Sequence, residues 1–287
     1  MSVSLSAAMT ARIERPRRRA NWIVALSWGV VAVITLLALF GNILAPIDPY
    51  AQDLATGPAG PSFAHPLGTD ALGRDVLSRV IAGTSSAVVG PLVVAVGAAI
   101  IGNALGLLAG YRGGRIDSAI MRWVDLMFSL PSILVIIVFA GTFGGGYWTS
   151  VLLLTIMSAP ADARIIRGAT LEQAPRPYVE AARSIGVSDS RIMFTHIWPN
   201  VAPITIANLS LSFAGSLVAL AGLSFLGLGV AAGTADWGLM VSESRNLLFV
   251  NPVAVLAPAV LIVAAATAVS VVGDWLHERL STRGAGR

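Results

Sequence analysis

The densest chemistry in this 287-residue chain lies in one short stretch, where His65, Asp70, Arg74, Asp75 and Arg79 fall within fifteen positions. Two carboxylates and an imidazole are the raw material of a metal site. Pro66 and a turn at Gly68 separate His65 from the acids, however. Asp70 with Arg74, and Asp75 with Arg79, also have the i,i+4 acid-to-base spacing of helix ion pairs, which would occupy both carboxylates. We therefore expect structural pairing here, with no metal ligands and no catalytic residue. Elsewhere the chemistry is thin. All 19 basic residues are Arg, and Lys and Cys are both missing. That excludes a Schiff base, a cysteine nucleophile, a disulfide and a thiolate zinc site. It also excludes a Walker A loop, whose Lys reaches the nucleotide phosphates. The only imidazoles, His65, His196 and His277, are far apart in sequence.

The elements that must position these groups are membrane helices. Hydrophobic residues make up 55% of the chain and charged ones 12%, with a mean hydropathy of +0.77, values of a polytopic membrane protein. Because about 20 apolar residues cross the hydrocarbon core, the charge-free runs predict spans at about 22–45, 80–111, 119–142, 147–167, 201–223 and 246–273. The third and fourth form a hairpin around Gly144-Gly145-Gly146. The run 192–235 has length for two spans. We read it as one, followed by a Gly-rich descent through Gly227, Gly229 and Gly233 and a short exterior helix near 237–247, with Trp237 as an interface anchor.

Arg residues orient the spans. With both termini inside, the interior segments hold sixteen Arg and nine acids and the exterior three Arg and six acids. The fold class expected is an all-α membrane protein of six transmembrane helices with cytoplasmic N- and C-termini. The Arg-rich start precedes about 24 apolar residues, too many for a signal-peptide core, and no A-x-A site follows, so this is an uncleaved first span. The pI near 10.3 then reflects inward-facing Arg that suits anionic lipid rather than nucleic acid.

Finer patterns place the helices against one another. Thr69 or Asp70 can cap a helix from about Ala71, with Leu72, Val76 and Val80 on one face, an amphipathic elbow at the outer interface. Ala98, Gly102, Gly106 and Gly110 give the second span one small face for close helix approach. Thr205, Asn208, Ser212 and Ser216 make a polar stripe on the fifth span that must face protein or water; it either bonds neighbouring helices or lines a path. Pro131, Pro160, Pro252 and Pro258 are candidate kinks.

Between the fourth and fifth spans lies a polar loop, 171–200. Tyr178 to Ile185 can form two helical turns with Glu180 near the positive end, and Gly186 can stop them in a left-handed conformation. Glu180-Ala181-Ala182, then Gly186, then Pro199, resembles the cytoplasmic coupling loop of ABC importer permeases; His196 and Trp198 depart from its usual aliphatic positions. H-P-L-G-T-D-A-L-G-R-D-V-L-S-R at 65–79, A-P-x-D-P-Y at 45–50, R-W-V-D-L-M-F-S-L-P at 122–131 and A-G-L-S-F-L-G-L-G at 221–229 are similar to the C-type permease subunit of dipeptide, oligopeptide and nickel importers. The resemblance runs from about Asn21 to Leu280. The family's Leu-Asp-Pro-Arg ending is replaced by Leu280-Ser281-Thr282-Arg283.

That resemblance implies a transport subunit, not an enzyme, in a bacterial inner membrane. Its partners would be a B-type permease, two cytoplasmic ABC ATPases that hold ATP and Mg²⁺, and an extracytoplasmic substrate-binding protein. No cofactor would bind this chain. Di- or oligopeptides are the expected cargo, with nickel or another small solute as the alternative. Asn208, Ser212 and Ser216 are candidates for the translocation path. The expected organisation is an arm at 1–21, a first span with outer loop and elbow at 22–84, a five-span core at 85–275 and a tail at 276–287. A stand-alone secondary transporter or channel would want ionisable groups at mid-membrane, and only Asp125 and Asp162 come near, toward the cytoplasmic ends.

Overall fold

The computed structural model describes residues 20–284, with side chains from Trp22 to Leu280; the Arg-rich part of the arm, 1–19, and the last residues, 285–287, lie outside the described residues. Helices are the only regular elements among the described residues. Helix α1 is Ala20–Leu44, α2 Val76–Arg112, α3 Gly114–Ser129, α4 Ser132–Phe143 and α5 Tyr147–Gln173. A short α6, Pro177–Ser184, precedes α7, Asp189–Arg191, which runs through a π turn, Ile192–Ile197, into α8, Trp198–Phe225. Then come α9, Trp237–Ser244, a 3₁₀ turn, Arg245–Leu247, and α10, Val253–Gly284. Five of these segments are long and apolar enough to cross a membrane: α1, α2, α5, the run from α7 through α8, and α10.

A sixth crossing exists only if α3 and α4 count together, and they are bent by 77°. The span expected at about 119–142 is therefore a sharply broken one, starting at Gly114. Leu130 is extended, at φ −100° and ψ 127°, because the ring of Pro131 disfavours the α region in the residue before it. Twelve-residue α4 is about 18 Å long, too short to cross alone. The hairpin turn does fall at Gly144, which has φ +81°. The run 192–235 holds one long helix, not two. The last span begins at Val253 rather than 246, so Pro252 stands ahead of α10 instead of kinking it.

The core is built on α2. At 37 residues this helix is about 55 Å long, and its small face lies on α5. A Cβ on Gly102 would stand 2.2 Å from the Asp162 Cβ, one on Gly106 2.7 Å from the Ala163 carbonyl oxygen, and one on Gly110 2.6 Å from the Thr170 Cβ. Glycine is what lets these backbones touch. On the other side α8 packs on α10, where Gly273 receives Ser210. Helix α1 is peripheral, joined through Ile34 to a cluster that includes Ala87, Phe213 and Leu217.

Two outer-side expectations are overturned. Residues 71–75 form turns rather than an elbow helix; α2 starts at Val76 with Asp75 as its cap, accepting from the Ser78 amide. Gly73, at φ +70°, is pressed against the Asp53 backbone, and a left-handed residue there cannot continue a helix. Nor is Trp237 an interface anchor. It is 1% exposed, and its indole N–H donates to the Val80 carbonyl at 2.9 Å, so α9 is wedged among α2, α8 and α10 rather than lying on the surface.

Candidate functional site

Polar chemistry gathers at the two ends of α2. At its start, the sequence-adjacent acids and arginines form a buried cluster that reaches much further than a helix ladder. Arg74 Nε lies 2.7 Å from Asp70 Oδ2, the expected pair. The expected Asp75–Arg79 pair does not form, because Asp75 is spent capping α2 and bonding His65 Nδ1 at 3.0 Å. Arg79 turns instead to Asp70, at 3.5 Å, and to Glu243 on α9, at 3.1 Å. Arg74 also reaches Glu243, at 2.7 Å. Both guanidiniums donate to the Gly233 carbonyl, at 3.3 and 3.2 Å. Two cations and two anions thus neutralise one another, with Arg74, Arg79 and Asp70 buried and Glu243 partly open to water, the pairing that a buried charge requires. Among the described residues no three metal-ligating side chains converge.

At the far end of α2, α6 sits on the tips of the long helices. Val179 and Ala182 point inward against Leu107 of α2, Ile166 of α5, and Ile192, Ile197 and Val201 of the α7–α8 run. Glu180 and Ala181 face outward, as do Arg183, Ser184 and Ile185. The helix stops as its sequence directs. Gly186 has φ +80°, its amide donates to the Arg183 carbonyl at 3.0 Å, and the Val187 amide reaches back to Ala182 at 3.1 Å, the paired bonds of a Schellman ending. Pro177 opens it at a position where a missing N–H costs nothing. Pro199 lies just past the π turn, outside this helix.

Polar ties hold α6 and α7 to α2. The Tyr111 hydroxyl donates to Asp189 Oδ1 at 3.0 Å, and Arg112 stands 3.5 Å from the same carboxylate. The Arg183 guanidinium lies 5.4 Å from the centre of the Tyr111 ring, and contact with that hydroxyl raises its already high pKa. Partial burial pushes the Tyr178 phenol above its usual value; it donates to Gln173 at 2.9 Å.

Between the two ends, the polar stripe of α8 is partly spent on its neighbours. Thr205 donates to Asn103 of α2 at 2.8 Å, and Asn208 donates to Asp162 of α5. Ser216 is buried. Ser212 is half-buried and has no side-chain hydrogen bond among the described residues. Asp125, the other acid noted near the spans, pairs with Arg164, while Asp117 grips Arg167 with both oxygens. Glu243, Tyr111 and Asn103 escape sequence reading, because each contacts a residue at least 78 positions away.

Residues 102–283 match the family described as the binding-protein-dependent transport system inner membrane component. The chain belongs to that family. It is 36% identical over 262 residues to the glutathione transport system permease protein GsiD of Pectobacterium atrosepticum, covering 91% of this chain and 87% of the relative. It is 34% identical over 258 residues to the probable D,D-dipeptide transport system permease protein DdpC of Escherichia coli, covering 90% and 87%. Its fold is similar to a solved chain of the MetNI methionine ABC transporter in inward-facing form, with a TM-score of 0.59 and 19% identity over 70% of this chain and 96% of that one. The protein is therefore a multi-pass permease subunit of a bacterial inner-membrane ABC importer, with a transport role rather than a catalytic one. It works with ATPase and substrate-binding partners.

Proposed function

We propose that this chain is the C-type half of a peptide importer, with α6 as the helix through which ATP hydrolysis reaches the spans. It pairs with a B-type permease over two cytoplasmic ATPases, which hold ATP and Mg²⁺; this chain binds no nucleotide. Six spans, counting α3 and α4 as one, run with both ends of the chain and α6 on the cytoplasmic side, the orientation that the Arg distribution supports. The cargo is a di- or oligopeptide, in keeping with the relatives named for glutathione and D,D-dipeptide transport. Glu180, Ala181, Ala182, Gly186 and Pro199 serve the coupling loop. Asn208, Ser212 and Ser216 border the peptide's path, and Ser212 is the member free to meet it.

The observation that carries this reading is the two-sidedness of α6. Its inner face is packed into the tips of α2, α5 and α8, so a push on α6 moves three long helices. Its outer face, with Glu180, Ala181, Arg183 and Ile185, is exposed and mixes charge with an apolar tip that a partner's groove could take. Such a helix transmits displacement because packed interfaces shift as units.

The test is to reverse the charge and remove the stop. Gly186→Val acts through φ alone, since a Cβ there meets nothing within 4 Å, and a β-branched residue at positive φ is strongly disfavoured. Glu180→Lys puts a cation at the positive helix end. Both variants are expected to insert normally, yet to lose the ATPases or to hydrolyse ATP without uptake, with transport down by about tenfold or more for a change of about 1.4 kcal/mol at the contact. Wild-type co-purification and uptake in both would remove α6 from the coupling role.

A further inference from the structure

The outer surface carries two aromatic side chains that the chain itself leaves uncovered, Phe63 at 110% and Phe249 at 102% relative exposure. They belong to separate segments that the fold knits into one platform. Buried Asn251 donates through Nδ2 to the carbonyls of Leu67, at 3.0 Å, and Thr69, at 3.2 Å. Thr69 in turn donates to the Gly57 carbonyl at 2.7 Å and accepts from the Ala59 amide at 2.8 Å. A Cβ on Gly68 would meet the Asn251 amide nitrogen at 2.3 Å, so the two segments are in direct contact there. The Asp70–Arg74–Arg79–Glu243 cluster then fastens this platform to α9. Leu54, Leu248 and Val250 add further exposed apolar surface.

Leaving such side chains in water is costly, and fixing their backbones by buried polar bonds is what a docking site needs, because ordering is done before the partner arrives. The platform is not membrane-embedded. Residues 45–75 carry no helix, and irregular backbone does not face lipid within the hydrocarbon core. An anionic lipid surface is disfavoured too. Asp48 and Asp53 are exposed on this segment, residues 45–67 contain no Arg, and hydrogen bonds from Thr56 keep the Asp53 pKa below its usual value.

We propose that the Phe63–Phe249 platform is the surface on which the extracytoplasmic substrate-binding protein docks, and that the binding protein offers an apolar recess flanked by basic residues. Aromatic anchors of this kind dominate protein interfaces. The acids Asp48 and Asp53 steer the basic rim and fix its register. The proposal rests on the orientation given under Proposed function, in which this end of α2 is extracytoplasmic.

The chain lacks Cys, so single-cysteine labelling is clean. In intact permease–ATPase complexes in right-side-out vesicles, Phe63→Cys and Phe249→Cys are to be treated with an impermeant maleimide, with and without the purified binding protein that drives uptake by the same complex. Both sites are expected to label from outside, and the binding protein to slow labelling about tenfold or more, as for a residue buried at an interface centre; serum albumin should have no effect. Labelling at an unchanged rate with the binding protein present overturns the platform and leaves the orientation intact. If position 63 is silent from outside while Val187→Cys reacts, the orientation itself fails. As a second readout, Phe63→Ser/Phe249→Ser should raise the concentration of binding protein needed for half-maximal ATPase stimulation by about tenfold or more, with basal ATPase and subunit assembly unchanged. An unshifted half-maximum would also overturn the proposal.

Discussion

Gly106→Val should abolish accumulation of the folded permease, whereas Gly168→Val should leave it at the wild-type level. The two glycines sit in helices that face each other, and they differ in what surrounds them. A side chain at Gly106 would begin 2.7 Å from the Ala163 carbonyl oxygen, 2.8 Å from the Ile166 Cβ and 3.0 Å from the Arg167 amide nitrogen, while a Cβ on Gly168 meets nothing within 4 Å. Backbone atoms of α5 cannot rotate away as a side-chain tip could, so relief requires α2 and α5 to separate. Overpacking typically costs about 1–3 kcal/mol, and a clash with backbone on several sides should reach the upper end. Near 3 kcal/mol, the folded fraction falls about a hundredfold relative to the unfolded one. Membrane-fraction levels and size-exclusion profiles of the tagged chain measure this directly. Normal amounts of monodisperse Gly106→Val would mean that α2 and α5 do not meet in this way.

Arg79→Met is expected to have the second large effect. Arg79 is fully buried and supplies one of two positive charges shared by Asp70 and Glu243; it also donates to the Gly233 and Thr234 carbonyls. Methionine fills much of the space but leaves two carboxylates facing one guanidinium. Breaking a buried pair from one side costs about 3–5 kcal/mol. The variant should melt at a clearly lower temperature in detergent and should lose its outer loop to protease first. Adding Glu243→Gln restores the charge balance, so the double variant should regain part of the lost stability. A double variant that is worse than Arg79→Met by the full cost of a second buried defect would show that the charges are not coupled.

Legibility of the fold in the sequence followed the range of the interactions. The approximate places of the first, second, fourth and last spans, and the single span in the run 192–235, could be read from charge-free runs, since hydrocarbon thickness acts on local composition. The Ala98–Gly110 face was readable because helical spacing alone brings those residues to one side. Gly186 was readable as a helix stop because its conformation is set within a few residues. The errors lie where a distant residue decides. Asp75 and Arg79 have ideal spacing for each other, yet Glu243, 164 positions on, offers Arg79 a better partner, and the amide of Ser78 offers Asp75 a capping role. Trp237 looked amphipathic by type, but its N–H found the Val80 carbonyl inside the protein. A kink at Pro131 was legible by local sterics, but its size was not, and hydropathy alone runs straight across it. In the loop at 171–200, residue types revealed the helix and its stop, while its seating on α2 through Tyr111 and Asp189 depended on chain segments that no spacing connects.

The π turn at Ile192–Ile197 sets the phase of all that follows. Its last bond joins the Trp198 amide to the Met193 carbonyl, five residues back, so the turn contains one residue more than an α turn would. Each α-helical residue advances the helix by about 100°. If the same residues took α geometry instead, Pro199 would press on the carbonyl four residues before it. The loop-side and membrane-side faces would also be rotated relative to each other by about that angle. Either Val201 would leave the cluster beneath α6, or Thr205 and Asn208 would swing off Asn103 and Asp162. The wide turn thus works as an angular offset between two faces of one rod, allowing the polar loop and the buried polar bonds each to find their own partners.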